Sequence, residues 1–231
     1  MYLSIVIPTL NEEKYILRIL NYLRRHTDPN SCEIIVCDGG SSDQTVALAR
    51  NFGSITILDQ LPSCRAIQMN HGAMRARGEV LYFVHADVLP PESFYSDIKS
   101  NYQARHLFGM YRQKFEGGSF LLKINSFFTR FDFEWCRGGD QSLYVSRKLF
   151  SELGGYNESM VIMEEYDLLR RLRKKSKLRI MPNYTLVSTR KYDSNSYWRV
   201  LLANQKAFKM FLKNEKPEEI LRTYKSFLYP Y

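Results

Sequence analysis

The chain has 231 residues, of which 45% are hydrophobic and 25% charged, with a formal net charge of +9. That balance is enough to bury the core of one large domain and excludes a disordered or low-complexity chain. No apolar run reaches the ~18–20 residues that cross a bilayer. The four cysteines, Cys32, Cys37, Cys64 and Cys136, form no C-x-x-C pair, which argues against a zinc site or disulfide framework and for a reducing cytoplasm.

The opening segment MYLSIVIPTLNEE lacks a positive leader and predicts a buried strand, Leu3–Pro8, rather than a signal peptide. Asn11 is placed to cap a helix in which Ile16, Leu17, Leu20 and Leu23 recur with helical spacing. A second strand, Glu33–Cys37, runs into the turn Asp38-Gly39-Gly40-Ser41-Ser42-Asp43, with Asp43 as the cap of a helix over Gln44–Asn51. A third strand follows at Ile55–Leu58. Ser63 is expected to cap a helix to Arg77 that Gly78 closes, and Glu79–His85 forms a fourth strand before Asp87 and the Pro90-Pro91 turn.

Strands alternating with helices predict an α/β fold with a mostly parallel central sheet flanked by helices. In such sheets ligands collect beyond the carboxyl ends of the strands. Those ends carry Pro8, Thr9, Asn11 and Glu12, then Asp38 and Gly39, then His85, Ala86 and Asp87.

The second half reads as a helix over Glu92–Ala104, a strand over Leu107–Phe115, a Gly117-Gly118 turn and an aromatic helix containing Phe127, Phe128, Phe131, Phe133 and Trp135. Core packing is the expectation for those rings; a surface for a lipid-linked acceptor is the alternative. After the loop Arg137-Gly138-Gly139-Asp140-Gln141 come a short strand, Ser142–Val145, and a helix, Lys148–Leu153, stopped by Gly154-Gly155. A helix starting near Glu164 enters a basic block, Leu168–Lys191, without one acid. Such a block attracts phosphate or an anionic membrane surface, or is simply a solvated helix and loop. No zinc finger or aromatic recognition pattern accompanies it, so nucleic acid is not expected as a partner. Residues 1–195 are taken as one domain, with a nucleotide-binding half (1–90) and an acceptor half (91–195). Residues 196–231 are a helical extension.

The glycine turn after Asp38 is neither a dinucleotide fingerprint nor a phosphate loop. A carboxylate at that strand end can accept hydrogen bonds from a base N–H or a ribose hydroxyl; starting a turn is its alternative role. Asp87 can hold Mg²⁺ or Mn²⁺ against a diphosphate, or act as a turn residue. Glu164 and Glu165 open a helix, where acids complement the macrodipole; the functional alternative is a general base acting on an acceptor hydroxyl.

In this order the segments resemble the family 2 glycosyltransferases of the GT-A fold. The resemblance is carried by Ser4–Glu13, Cys37–Thr45, His85-Ala86-Asp87, Gly138–Gln141, Leu153–Tyr156 and Met163–Leu168. It is narrower still to a bacterial subgroup associated with radical-SAM or selenium-domain proteins, through Arg65-Ala66-x-Gln68-Met69-Asn70-x-Gly72-Ala73, the His-Ala-Asp triplet and Thr189-Arg190-Lys191.

The resemblance implies an inverting transfer from a nucleotide-sugar donor, UDP- or GDP-linked, to an acceptor that can be lipid-linked. The protein would be cytoplasmic, with peripheral contact at the inner face of an anionic membrane as the further option. It implies nucleotide contacts at Pro8, Thr9, Asn11, Glu12, Asp38, Gly39, Arg65, His85 and Ala86, a divalent metal at Asp87 and Glu165 as base. Gly139, Asp140, Gln141, Glu164 and Arg190 would line the acceptor or diphosphate side. Two departures stand out: His85 replaces the first carboxylate of the family's D-x-D motif, and Glu165 replaces its catalytic aspartate. The alternatives are a non-catalytic nucleotide-sugar-binding or membrane-docking module and a sugar nucleotidyltransferase, though Thr9–Glu12 lacks the latter's glycine signature.

Overall fold

The computed structural model describes residues 2–117 and 119–229; Gly118, half of the expected Gly-Gly turn, lies outside the described residues. Strands β1 (Leu3–Thr9), β2 (Cys32–Asp38), β3 (Thr56–Leu58) and β4 (Val80–Phe83) make the first half of one sheet. Strands β5 (Val88–Leu89), β6 (Phe108–Phe115), β7 (Leu143–Ser146) and β8 (Arg179–Val187) complete it. The order is β3-β2-β1-β4-β7-β6-β8-β5. The first half is all parallel. β7 then runs antiparallel to both β4 and β6, whereas β6 and β8 are parallel with a bulge at Tyr111/Arg112. The antiparallel insertion reverses the strand sense and brings the segments flanking β7 and β8 to the same sheet edge as the ends of β1, β2 and β4.

Every residue of β1 is buried, as a strand covered on both faces must be. Leu3, Ile5 and Ile7 point to one face, against helix α1 (Ile16–Arg25) and helix α4 (Phe94–Gln103). Val6 points to the other, toward helices α3 (Arg65–Arg75), α6 (Arg147–Glu152) and α7 (Glu164–Arg173). Helix α3 lies directly on β1 because residue 72 is glycine: a Cβ there would sit 2.4 Å from Val6 Cγ1 and 2.8 Å from Cys37 Sγ. Helices α9 (Tyr197–Leu212) and α10 (Pro217–Phe227) bury Ala207, Met210, Phe211 and Ile220 against Met160 and Met163. The C-terminal helices therefore brace the segment that leads into α7.

Several local expectations change. Helix α1 starts at Ile16 with Tyr15 as its cap; Asn11 instead has φ +56° and its side-chain oxygen accepts from Ser42 N. Leu17 is surface-exposed, and Ile19 fills the buried stripe. Helix α2 spans Thr45–Phe52 with Gln44 at its cap position, while Asp43 still accepts from Thr45 N. Cys64, not Ser63, precedes α3, and no side chain caps it. Gly78 is needed for a close crossing rather than a helix stop, since its Cβ would lie 2.7 Å from Ser4 N.

The aromatic helix, α5 (Phe120–Phe128), is shorter than expected. Its rings and those beyond it are not core. Phe127, Phe131, Phe133 and Trp135 are 47%, 40%, 45% and 52% exposed. Within the basic block the helix ends at Arg173, and the expected loop is the paired strand β8.

Because α3 carries Arg65 and Gln68 toward the strand ends, its seat on β1 is a stability and positioning feature. Gly72→Ala is expected to destabilise the fold by about 1–3 kcal/mol through overpacking, measured as a shifted urea midpoint at constant m-value.

Candidate active site

The two N-terminal loops interlock. Asp38, at the end of β2, is 1% exposed and accepts from Gly40 N (3.0 Å), Ser41 N (2.7 Å), Thr9 Oγ1 (3.0 Å) and the Ser41 hydroxyl. Those bonds come from its own loop and from β1, so the carboxylate organises the turn. Gln68 Nε2 donates to Thr9 O (2.8 Å) and would be struck by a Cβ on Gly39, at 2.3 Å. Glu12 N donates to Thr45 Oγ1, and Asn11 N to Ser41 Oγ. The strand ends are thus joined into one rigid rim before any ligand arrives.

Beyond β4, His85 lies between two carboxylates. Its Nδ1 is 3.4 Å from Asp140 Oδ1 and its Nε2 is 3.7 Å from Glu165 Oε1. Burial opposes the charged imidazole, but the Asp140 contact and the Asp140 and Glu165 charges raise its pKa above the ordinary value. Asp140 is half exposed, so solvent screens part of that attraction.

Glu165 is buried at the first turn of α7, and its Oε1 has no hydrogen-bond partner. Arg65 Nη1 stands at ion-pair distance, 3.8 Å away and 3.5 Å from Glu164 Oε1. Burial first, and the neighbouring Glu164 second, push the Glu165 carboxyl up to about 7, against the pull of Arg65 and His85. Gly139 permits this crowding: a Cβ would fall 2.4 Å from both Glu165 Oε1 and His85 Cε1. The residue before α7, Met163, has φ +64°. That is an uncommon backbone for a side chain of this size, and it is held by the C-terminal helices. Gln141 is buried, with its Nε2 donating to Cys136 O.

Arg190, just after β8, forks onto Glu12, with Nη1–Oε2 2.8 Å and Nη2–Oε1 2.6 Å. Its Nε lies 3.1 Å from Asp87 Oδ2, and its guanidinium sits 4.9 Å from the centre of the Tyr15 ring. The structure therefore brings Glu12, His85, Asp87, Asp140, Glu164, Glu165, Arg65 and Arg190 into one charged cluster at the rim, with Thr9 and Asp38 beside it. Arg190 was expected on the acceptor or diphosphate side; its pairing with Glu12, 178 residues away in sequence, leaves no local signal.

The Glycosyl transferase family 2 model matches residues 4–150, and the chain belongs to that family. A Methanococcus voltae dolichyl N-acetyl-alpha-D-glucosaminyl phosphate 3-beta-D-2,3-diacetamido-2,3-dideoxy-beta-D-glucuronosyltransferase is 30% identical over 109 residues, 44% of this chain and 34% of that protein. Glycosyltransferase AglE of Haloferax volcanii is 32% identical over 100 residues, 40% of this chain and 33% of that protein. The chain thus spans about a third of the length of these relatives. Among solved structures, Staphylococcus aureus TarS 1-349 superposes with a TM-score of 0.68 at 18% identity, covering 98% of this chain and 72% of that one. The Pyrobaculum calidifontis mannosyltransferase PcManGT in complex with GDP-Man and Mn²⁺ gives 0.70 at 16% identity, covering 97% and 69%. These likenesses establish the GT-A fold.

Whether a divalent cation suits the site is a question for the side chains present. Mg²⁺ or Mn²⁺ needs carboxylate oxygens open to it. Asp87 and Glu12 both face the Arg190 guanidinium, which fills the space between them with positive charge. His85 has both ring nitrogens directed at other carboxylates. No group of three or more metal-ligating side chains occurs among the described residues. As arranged, the residues do not fit a divalent cation.

The raised Glu165 pKa has a consequence for stability. Its native value lies above the ordinary 4.5, so its contribution is complete below about 4.5 and is lost as pH rises through about 7. Glu165→Gln, which keeps the shape without the charge, is expected to raise the melting temperature more at pH 8 than at pH 5. An equal shift at both pH values would contradict a buried ionisation at this residue.

Proposed function

We propose that the chain transfers a sugar from a UDP- or GDP-sugar to an acceptor hydroxyl, with inversion at the anomeric carbon. The carrying observation is Glu165: a buried carboxylate whose Oε1 has no hydrogen-bond partner and whose pKa is pushed up to about 7, next to the interlocked strand-end loops. A base with that pKa is poised to take a proton near neutral pH. In this reading Pro8, Thr9, Asn11, Glu12, Asp38 and Gly39 cradle the nucleoside, with Ala86 beside them. Ionised Glu165 removes the acceptor proton as the acceptor oxygen attacks the anomeric carbon. The bond to the diphosphate breaks, and the nucleoside diphosphate departs against Arg65 and Arg190. His85, held between Asp140 and Glu165, keeps the base's charge in balance, and Gly139 leaves the acceptor's approach unobstructed. The narrower affiliation with radical-SAM- or selenium-domain-associated transferases is part of this proposal and rests on sequence resemblance alone, over Arg65–Ala73 and His85-Ala86-Asp87.

Transfer should rise as pH increases through about 7, following loss of the Glu165 proton. Glu165→Gln should lower kcat by about 10²–10⁴-fold while leaving donor affinity within a few-fold. Both are read by release of nucleoside diphosphate from donor plus acceptor. A Glu165→Gln protein with full turnover would remove the base assignment, and a chain that binds the donor but never turns it over would favour the non-catalytic module.

A lipid-linked acceptor, met from the cytoplasmic side of an anionic membrane, is supported by two observations. The Methanococcus relative is named for a dolichyl phosphate substrate. Exposed rings also form a continuous row here, Phe127–Phe131 at 5.7 Å, Phe131–Phe133 at 5.5 Å and Phe133–Trp135 at 5.8 Å. Arg130 lies over Phe127 at 4.0 Å, and Tyr197 Oη donates to Asn125, joining α9 to α5. No helix among the described residues is long and apolar enough to cross a membrane, so contact would be interfacial. The chain should co-sediment with phosphatidylglycerol vesicles more than with neutral ones, and the Phe127→Ala/Trp135→Ala double variant should lose most of that difference. Sedimentation indifferent to anionic lipid would contradict the membrane contact.

A further inference from the structure

The cluster around Arg190 points to a function for that residue beyond pairing charges. Its backbone is pinned on both sides: Ser188 N donates to Asp87 O (3.2 Å), Arg190 N to Ser188 Oγ (3.3 Å), and Thr189 Oγ1 to Glu116 O (3.5 Å). Ser188 Oγ also meets Tyr15 Oη at 3.2 Å. The side chain then runs over the Tyr15 ring, with Nε paired ionically with Asp87 Oδ2 at 3.1 Å but making no hydrogen bond, and both Nη groups on the two oxygens of Glu12. A guanidinium so held is charged at every working pH, and its planar fork matches two oxygens of a phosphate as well as two of a carboxylate.

Glu12 occupies that fork when no anion does. Its burial disfavours its charge, an effect that Arg190 opposes. Meanwhile Asp87 is committed to Arg190, and His85 to Asp140 and Glu165. The cation already built into this rim is an arginine.

We propose that Arg190 holds the donor's diphosphate in place of a divalent metal, with Asp87 as the positioning residue that aims it. This rests on the nucleotide-sugar reading of the same site. On donor binding the two Nη groups pass from Glu12 to diphosphate oxygens while Nε keeps its ion pair with Asp87. Glu12 is then released to accept hydrogen bonds from the donor. The leaving diphosphate is neutralised by Arg190, and the site works in the presence of a chelator.

The test is calorimetric titration of the full chain with inorganic pyrophosphate, UDP and GDP, each in EDTA and in Mn²⁺. Wild type, Arg190→Lys and Asp87→Asn are compared after circular dichroism confirms that they fold. Pyrophosphate is expected to bind in EDTA with an affinity within about threefold of that in Mn²⁺. Arg190→Lys, which loses the fork but keeps the charge, should weaken it by about tenfold or more in both. Asp87→Asn should weaken binding by less, and equally in both. Pyrophosphate binding that requires Mn²⁺, or that Arg190→Lys leaves unchanged, overturns the proposal. So does an Asp87→Asn effect confined to Mn²⁺, or no pyrophosphate binding in either buffer. Arg190-dependent pyrophosphate binding without UDP or GDP binding would leave the assignment standing and remove the nucleotide reading instead.

Discussion

The site depends on a carboxylate that the fold buries with one oxygen left without a hydrogen-bond partner. Glu165 enters the interior on the first turn of α7, where its Oε1 is unpartnered. Keeping such a group charged in a dry environment is costly, so its proton affinity rises. The surroundings are arranged around that cost. Gly139 makes room, His85 and Arg65 stand at ion-pair rather than hydrogen-bond distance, and Met163 turns the chain into α7 through a left-handed backbone. The C-terminal helices hold that turn, with Phe208 and Phe211 packed on Tyr166. A helical pair remote from the strand ends thus fixes the position of Glu165.

A second, separate economy operates at the rim formed by the strand ends. Asp38 is saturated by donors of its own loop and of β1, and Gln68 ties α3 to the end of β1. Such a rim is organised in advance, so little ordering is left to accompany ligand binding. Next to it the Glu12–Arg190–Asp87 bridge is ionic rather than saturated, and can exchange partners. The rigid part suits recognition of a nucleoside and the exchangeable part suits a diphosphate.

Much of the fold was legible because β1, β2 and β4 are apolar on both faces, and their periodicity needs no tertiary context. The acidic and polar strand ends were legible for the same reason, since topology puts them at one edge. What was not legible depends on distant partners. The Asn11 cap failed because the loop bonds to Ser42 instead of to the helix it precedes. The aromatic segment looked like core because phenylalanine and tryptophan usually are; nothing local reveals that four of its rings stay exposed among the described residues. A divalent cation at Asp87 followed from resemblance to a motif, whereas the arginine paired with that aspartate comes from beyond β8. Glu165 was visible as an acid at a helix start, but its burial and raised pKa come from Gly139, His85 and Glu164 together.

The measurement that bears most directly on this picture is a ¹³C NMR titration of the glutamate side-chain carboxyls, with Glu165→Gln as the assignment control. One carboxyl, missing from the variant, should titrate near 7, well above the ordinary range. If the resonance lost in Glu165→Gln titrates near 4.5 with the other glutamates, Glu165 is not the poised base, and the chemistry assigned to this site is wrong.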